Sequence, residues 1–223
     1  MMAKKNLVKE EKLSAEEKLM GKISGFFHNN RLVVIIISAV IVVGLIASII
    51  IVNSVASSKE KAQEKVALME ESYFNLLAEE TPDWTTLEND LSAMVKGSSY
   101  ASVKSAYLLG LVYYEQGKYA DAQAAFENAY NLNKKAYLAA SSLVNAAACA
   151  EAQGDTAKAL VLYNQVYDDY PESGVAPKAL FNVARIYMQQ GNTQLAQATF
   201  AQVADYYPSS EYGLLSKNII NVL

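Results

Sequence analysis

The stretch EQGKYADAQAAF, residues 115–126, sets a Gly-Lys pair just before a helical run. A phosphate-binding loop needs G-x-x-x-x-G-K-[ST], a glycine-rich turn whose backbone N–H groups surround the phosphates. Gly110 lies too far upstream for that pattern, Tyr119 stands where Ser or Thr must hold the metal, and no strand pattern precedes the pair. The glycine has companions of another kind. Gly117, Gly154 and Gly191 are 37 residues apart, and so are Ala122, Ala159 and Ala196, and Phe126, Tyr163 and Phe200. Pro171 and Pro208 keep the step, with Lys134 where the first copy would carry its proline. Three aligned sets at one period mark an array of repeats.

Each copy reads as helix–turn–helix. VKSAYLLGLVYYEQ (103–116) has apolar residues at helical spacing, and Gly117 then permits a tight turn before YADAQAAFENAYNL (119–132). Ala122 is small enough for two helices to approach closely, and Phe126 fills the space beneath the turn. In the second and third copies YDDYPES and ADYYPSS close the second helix with a proline, which cannot continue it. No helix pair of this kind buries its apolar face alone, so stacking of the copies makes the core.

These residues resemble the tetratricopeptide repeat. The first copy meets its pattern with Leu109, Gly110, Tyr113, Gly117, Ala122, Phe126 and Ala129, and the third with Val183, Ala184, Tyr187, Gly191, Ala196, Phe200, Val203 and Pro208. The second is more degenerate, with Ala146, Ala147 and Ala150 in its first helix and Gly154, Ala159, Tyr163 and Pro171 after it. The resemblance implies an all-α solenoid with repeats at 103–136, 140–173 and 177–210. Upstream, SKEKAQEKVALMEESYFNLLAEE (58–80) and DWTTLENDLSAMVKG (83–97) read as two further helices within 53–102, a cap or a divergent repeat. Downstream, 211–223 reads as a capping helix that starts after Ser209 or Ser210.

Residues 32–52, LVVIIISAVIVVGLIASIIIV, carry no charge. As a helix the run is about 31 Å long, the thickness of a bilayer's hydrocarbon core. The first 31 residues hold Lys4, Lys5, Lys9, Lys12, Lys18, Lys22 and Arg31 against Glu10, Glu11, Glu16 and Glu17, whereas the chain beyond the run is acidic. Basic residues next to a span stay cytoplasmic. The expectation is therefore one retained membrane anchor at 32–52, a cytoplasmic tail at 1–31 and an extracytoplasmic repeat domain. Ser54-Val55-Ala56 resembles a cleavage site, but the leader and the apolar run are long for a signal peptide. The tail is amphipathic, with Leu13, Met20, Ile23 and Phe27 on one face, and suits either an anionic leaflet or a solvated leader. Gly44 and Ser48 form a small-xxx-small pair that would serve a homodimer.

Catalytic constellations are missing from the pattern. His28 is the only histidine, Cys149 the only cysteine, and the neighbouring Asp168 and Asp169 end a helix pointing different ways. No enzyme, metal or cofactor is expected, and an acidic repeat domain lacks the electrostatic basis for nucleic acid. Tetratricopeptide folds line a concave groove with the first helix of each pair. By that resemblance the groove would present Lys104, Tyr107, Tyr114, Val144, Asn145 and Ala148, then Lys178, Phe181, Asn182, Arg185 and Met188. Aromatic and methionine side chains beside a few cations suit an extended or helical peptide with apolar anchors. The order of charged tail, single span and repeat array, with the ending LLSKNIINVL, is similar to the YfgM-type ancillary subunits of the SecYEG translocon. That likeness implies a single-pass protein of a bacterial inner membrane, with its repeat domain in the periplasm and protein partners among translocon subunits or periplasmic chaperones. The repeats look equally like those of outer-membrane assembly lipoproteins and of the Tol-Pal-linked division coordinator, and a self-associating membrane scaffold is a further alternative.

Overall fold

The computed structural model describes residues 14–222. Lys4, Lys5, Lys9, Lys12, Glu10, Glu11 and Leu13 of the tail lie outside the described residues, as does Leu223. The described residues form ten α-helices and no strand. The chain divides into two compact units, Met1–Ser58 and Lys59–Leu223.

In the first unit α1 spans Ala15–Asn29. Its start is fixed by a capping box: the Ser14 hydroxyl accepts from the Glu17 N–H at 3.2 Å, and the Glu17 carboxylate accepts from the Ser14 N–H at 2.7 Å. Asn30 leaves helical geometry (φ −117°, ψ 30°) and ends α1. α2 then runs from Arg31 to Leu77, and this 47-residue helix is long and apolar enough to cross a membrane. The pattern predicts a span and a separate exit helix from residue 58, yet the structure has one unbroken helix. The reason is local: residues 53–58, NSVASS, contain neither Gly nor Pro to end it.

The second unit takes the end of α2 and adds α3 (Thr85–Met94), α4 (Tyr100–Glu115), α5 (Tyr119–Leu132), α6 (Ala139–Ala152), α7 (Thr156–Asp169), α8 (Ala176–Gln189), α9 (Thr193–Tyr206) and α10 (Glu211–Ile220). From α4 onward each helix packs on the next. The glycines that set the period have φ of 69°, 81° and 74° at 117, 154 and 191, the left-handed region that a side chain resists. The period's alanines, Ala122, Ala159 and Ala196, are fully buried, and Phe126, Tyr163 and Phe200 nearly so. Burying each such aromatic is worth about 1.5–3 kcal/mol.

The prolines end their helices as the chemistry requires, and the tyrosines before them add a link between copies. Tyr170 donates its hydroxyl proton to the Lys134 carbonyl at 2.7 Å, and Tyr207 to the Pro171 carbonyl at 3.0 Å. The second and third copies are thereby each tied to the loop of the copy before.

The same period extends at both ends of the array. Val66, Met69 and Tyr73 of α2 stand 37 residues before Val103, Ala106 and Gly110, and all six are buried. Trp84, Leu87 and Leu91 complete that cluster against Ala101, Leu108 and Val112. At the other end Gly213 and Ser216 stand 37 residues after Ala176 and Ala179, again all buried. The next core position, filled by Leu143 and Leu180 in earlier copies, is the exposed Lys217 in α10. A charge there gives the last helix a polar outer face, as the end of a stacked array requires.

Gly110 carries a steric constraint of its own, at a position where the later copies have Ala147 and Ala184. A Cβ at this position would lie 2.7 Å from two atoms of the buried Phe126 ring. Gly110→Ala is therefore expected to destabilise residues 59–223 by about 1–3 kcal/mol, the usual range for overpacking. Urea unfolding measures it, and an unshifted midpoint would show that the ring moves aside at no cost.

Candidate functional site

The first helices of successive pairs, α4, α6 and α8, place their groove residues in three different situations. Some are tied to each other. Lys104 on α4 meets Glu70 on α2 at 2.5 Å, with Tyr100's ring 5.9 Å from its ammonium. Burial pulls the Lys104 pKa down, but Glu70 outweighs it and the net shift is upward. Tyr107 accepts a hydrogen bond from the Asn145 amide at 2.9 Å, packs edge-on against Phe126 at 5.4 Å, and is pushed up by burial. Arg185 on α8 donates to both carboxylate oxygens of Glu151 on α6, at 2.5 and 2.7 Å, and to Asn182 at 3.3 Å. Tyr163 gives its hydroxyl proton to the same Glu151 at 2.9 Å. Burial first, and then Glu151's charge, raise that phenol well above its ordinary range.

Phe181 belongs to a second group. Half-buried, it lies 5.3 Å from the Phe200 ring and 5.3 Å from Tyr212 on α10, so the final helix covers part of it. Val144 is buried in the core.

The third group is open. Tyr114 is 41% exposed and Met188 39%. Lys178 is also exposed, and among the described residues it has no ion-pair partner. Tyr114, Asn145 and Lys178 line one cleft of about 250 Å³ together with Leu111 and Glu115. It thus draws on three consecutive first helices. An aromatic wall, an amide, one cation and one carboxylate around a small open cleft can hold a peptide by an apolar anchor and a few directed hydrogen bonds.

Pattern reading missed the acids in this face: Glu70, Glu115 and Glu151. Two of them left a signal, because Glu70–Lys104 and Glu151–Arg185 are opposite charges 34 residues apart. Cys149 is fully buried, and burial pushes its thiol up to about 11, which suppresses the thiolate at neutral pH. Among the described residues no three His, Cys, Asp or Glu side chains are grouped to hold a metal ion.

Residues 102–172 and 150–219 each match a family model described as Tetratricopeptide repeat. No curated protein matches the chain. A tetratricopeptide repeat protein from Parabacteroides merdae is 23% identical, with a TM-score of 0.54 over 70% of this chain and 59% of that one. Nearly identical TPR-like repeats of a Podosopora anserina kinesin light chain align in two crystal structures. One, of a variant form, gives 17% identity and a TM-score of 0.55, the other 16% and 0.54, each over 73% of this chain and 84% of that one. At these identities the likeness speaks for the fold alone. The two family matches together take in residues 102–219, more than half of the chain, and agree with the period, the turns and the helix pairs: this is a tetratricopeptide repeat protein.

Proposed function

We propose that this chain is a non-catalytic, membrane-anchored scaffold whose cleft between the first helices captures a segment of a partner protein. The observation that carries the proposal is the open cleft itself. The neighbouring Lys104 and Arg185 are neutralised within the fold, while Lys178, Tyr114 and Met188 are left available. Repeat proteins of this class mediate protein–protein interaction, and an apolar helix long enough to span a membrane precedes the array. Together with the basic leader, this favours an extracytoplasmic repeat domain. The likeness of its order of elements to translocon ancillary subunits supports a role beside the translocon, passing emerging chains to periplasmic chaperones.

The test is a photo-crosslinking residue at Tyr114 in the full-length protein, in bacterial cells, with mass spectrometry of the adducts. Adducts to translocon subunits or a periplasmic chaperone, reduced several-fold by Lys178→Glu, are expected. Adducts only to division or outer-membrane assembly proteins would replace the secretion reading with its rival. No adducts at all would remove the cleft as a binding site.

A further inference from the structure

α1 belongs to the first unit and stands outside the repeat period, and its surface is unusual for a solvated helix. Leu19, Met20, Ile23, Phe26 and Phe27 are each 43–65% exposed. At 3.6 residues per turn they fall within an arc of about 120°. Lys22 borders one edge of that arc with Lys18 beyond it, Ser24 borders the other edge, and Gly21 and Gly25 occupy the opposite side. Glu16 shares the apolar arc and Glu17 lies on the polar side, but both sit in the first turn, where the helix dipole favours a carboxylate and Glu17 is held by the capping box. The capping box starts this helix from its own side chains, so α1 needs no partner to define its beginning. One residue, Asn30, separates it from the apolar helix α2.

We propose that α1 lies in the plane of an anionic membrane surface, with Leu19, Ile23, Phe26 and Phe27 in the headgroup–acyl boundary and Lys18 and Lys22 against lipid phosphates. The occupant follows from continuity and charge. The apolar arc ends where the apolar span begins, and the cations sit beside the arc, where headgroups would be. An aqueous setting would leave five large apolar side chains in water for no compensating contact. The proposal rests on reading residues 32–52 of α2 as a span, and the experiment separates the two.

Full-length protein carrying Cys149→Ala receives single nitroxides at Leu19→Cys, Ile23→Cys and Phe26→Cys, at Gly21→Cys and Gly25→Cys on the opposite side, and at Ile36→Cys and Ile46→Cys in the span. It is reconstituted in vesicles of phosphatidylethanolamine and phosphatidylglycerol, and collision with oxygen is compared with collision with a water-soluble nickel chelate. Leu19 is decisive, because an α1 continuing straight out of the bilayer would hold it about 20 Å above Leu32.

The expected result is a several-fold preference for oxygen at 19, 23, 26, 36 and 46 and for nickel at 21 and 25. Nickel access at all five α1 positions, with 36 and 46 still in oxygen, would leave the span intact and overturn the proposal. Nickel access at 36 and 46 as well would overturn the span reading itself. Exclusion of both probes from 19, 23 and 26 would mean protein covers the arc, a second copy of this chain, and would also overturn it. Replacing phosphatidylglycerol by phosphatidylcholine should weaken the oxygen preference at 19; an unchanged value would overturn the anionic requirement.

Discussion

Replacing Ala159 by tryptophan is expected to lower the thermal midpoint of residues 59–223 by about 6–12 °C, through a loss of about 3 kcal/mol. Ala159 on α7 is fully buried in a cluster that includes Ala146, Ala147, Cys149 and Ala150 of α6 and Tyr163 of its own helix. Small residues on both sides leave no volume for an indole, and the neighbouring copies hold the cluster from above and below, so the strain cannot relax into solvent. Val161, two residues on and 62% exposed, is the control. Val161→Trp should change stability by no more than about 0.5 kcal/mol. A melting curve unmoved by Ala159→Trp would remove Ala122, Ala159 and Ala196 as the points of closest helix approach, and with them the alignment of the copies.

The array was legible because its determinants are local. A turn that needs a left-handed residue shows as Gly117, Gly154 and Gly191, and α5 runs from Tyr119 to Leu132 as its pattern predicts. Its partner α4 begins three residues before the predicted Val103, because Ser99 caps it, accepting from the Ser102 N–H at 3.2 Å. Apolar spacing alone does not register such a cap. The groove was less legible. Residue types on the first helices could be placed from the repeat, but their pairing depends on how far one first helix is offset along the next. Packing sets that offset. Lys104 looks like a free cation in the sequence because Glu70 lies on a helix that reads as an exit from the membrane. Lys134 looks like a missing proline, although its carbonyl does the same work as that of Pro171 in accepting a tyrosine from the following copy.

Glu151→Ala should destabilise the repeat domain by about 2–3 kcal/mol, chiefly through one orphaned phenol. Two groups converge on this carboxylate, the Arg185 guanidinium and the Tyr163 hydroxyl. Their fates on its removal differ. The Arg185 side chain is 32% exposed and can turn to water, so its share, discounted for screening, is about 1 kcal/mol or less. Tyr163 is only 1% exposed, and its hydroxyl would stay in the interior without its carboxylate acceptor, beside the Asn182 amide alone. Glu151→Gln keeps an oxygen for the phenol while removing the charge, and should recover about half of the loss. Tyr163→Phe in the Glu151→Ala background should recover a similar amount by deleting the orphan. If Glu151→Gln is as damaging as Glu151→Ala, the ion pair dominates and the phenol is incidental. If neither variant moves the urea midpoint, the link between the second and third first helices contributes nothing to stability. Releasing Arg185 has a second consequence for the groove: it adds an unpaired cation on α8, the helix that already presents Lys178. Binding of an acidic peptide at the cleft should then strengthen as the fold weakens, and the two effects separate when affinity is measured well below the melting transition.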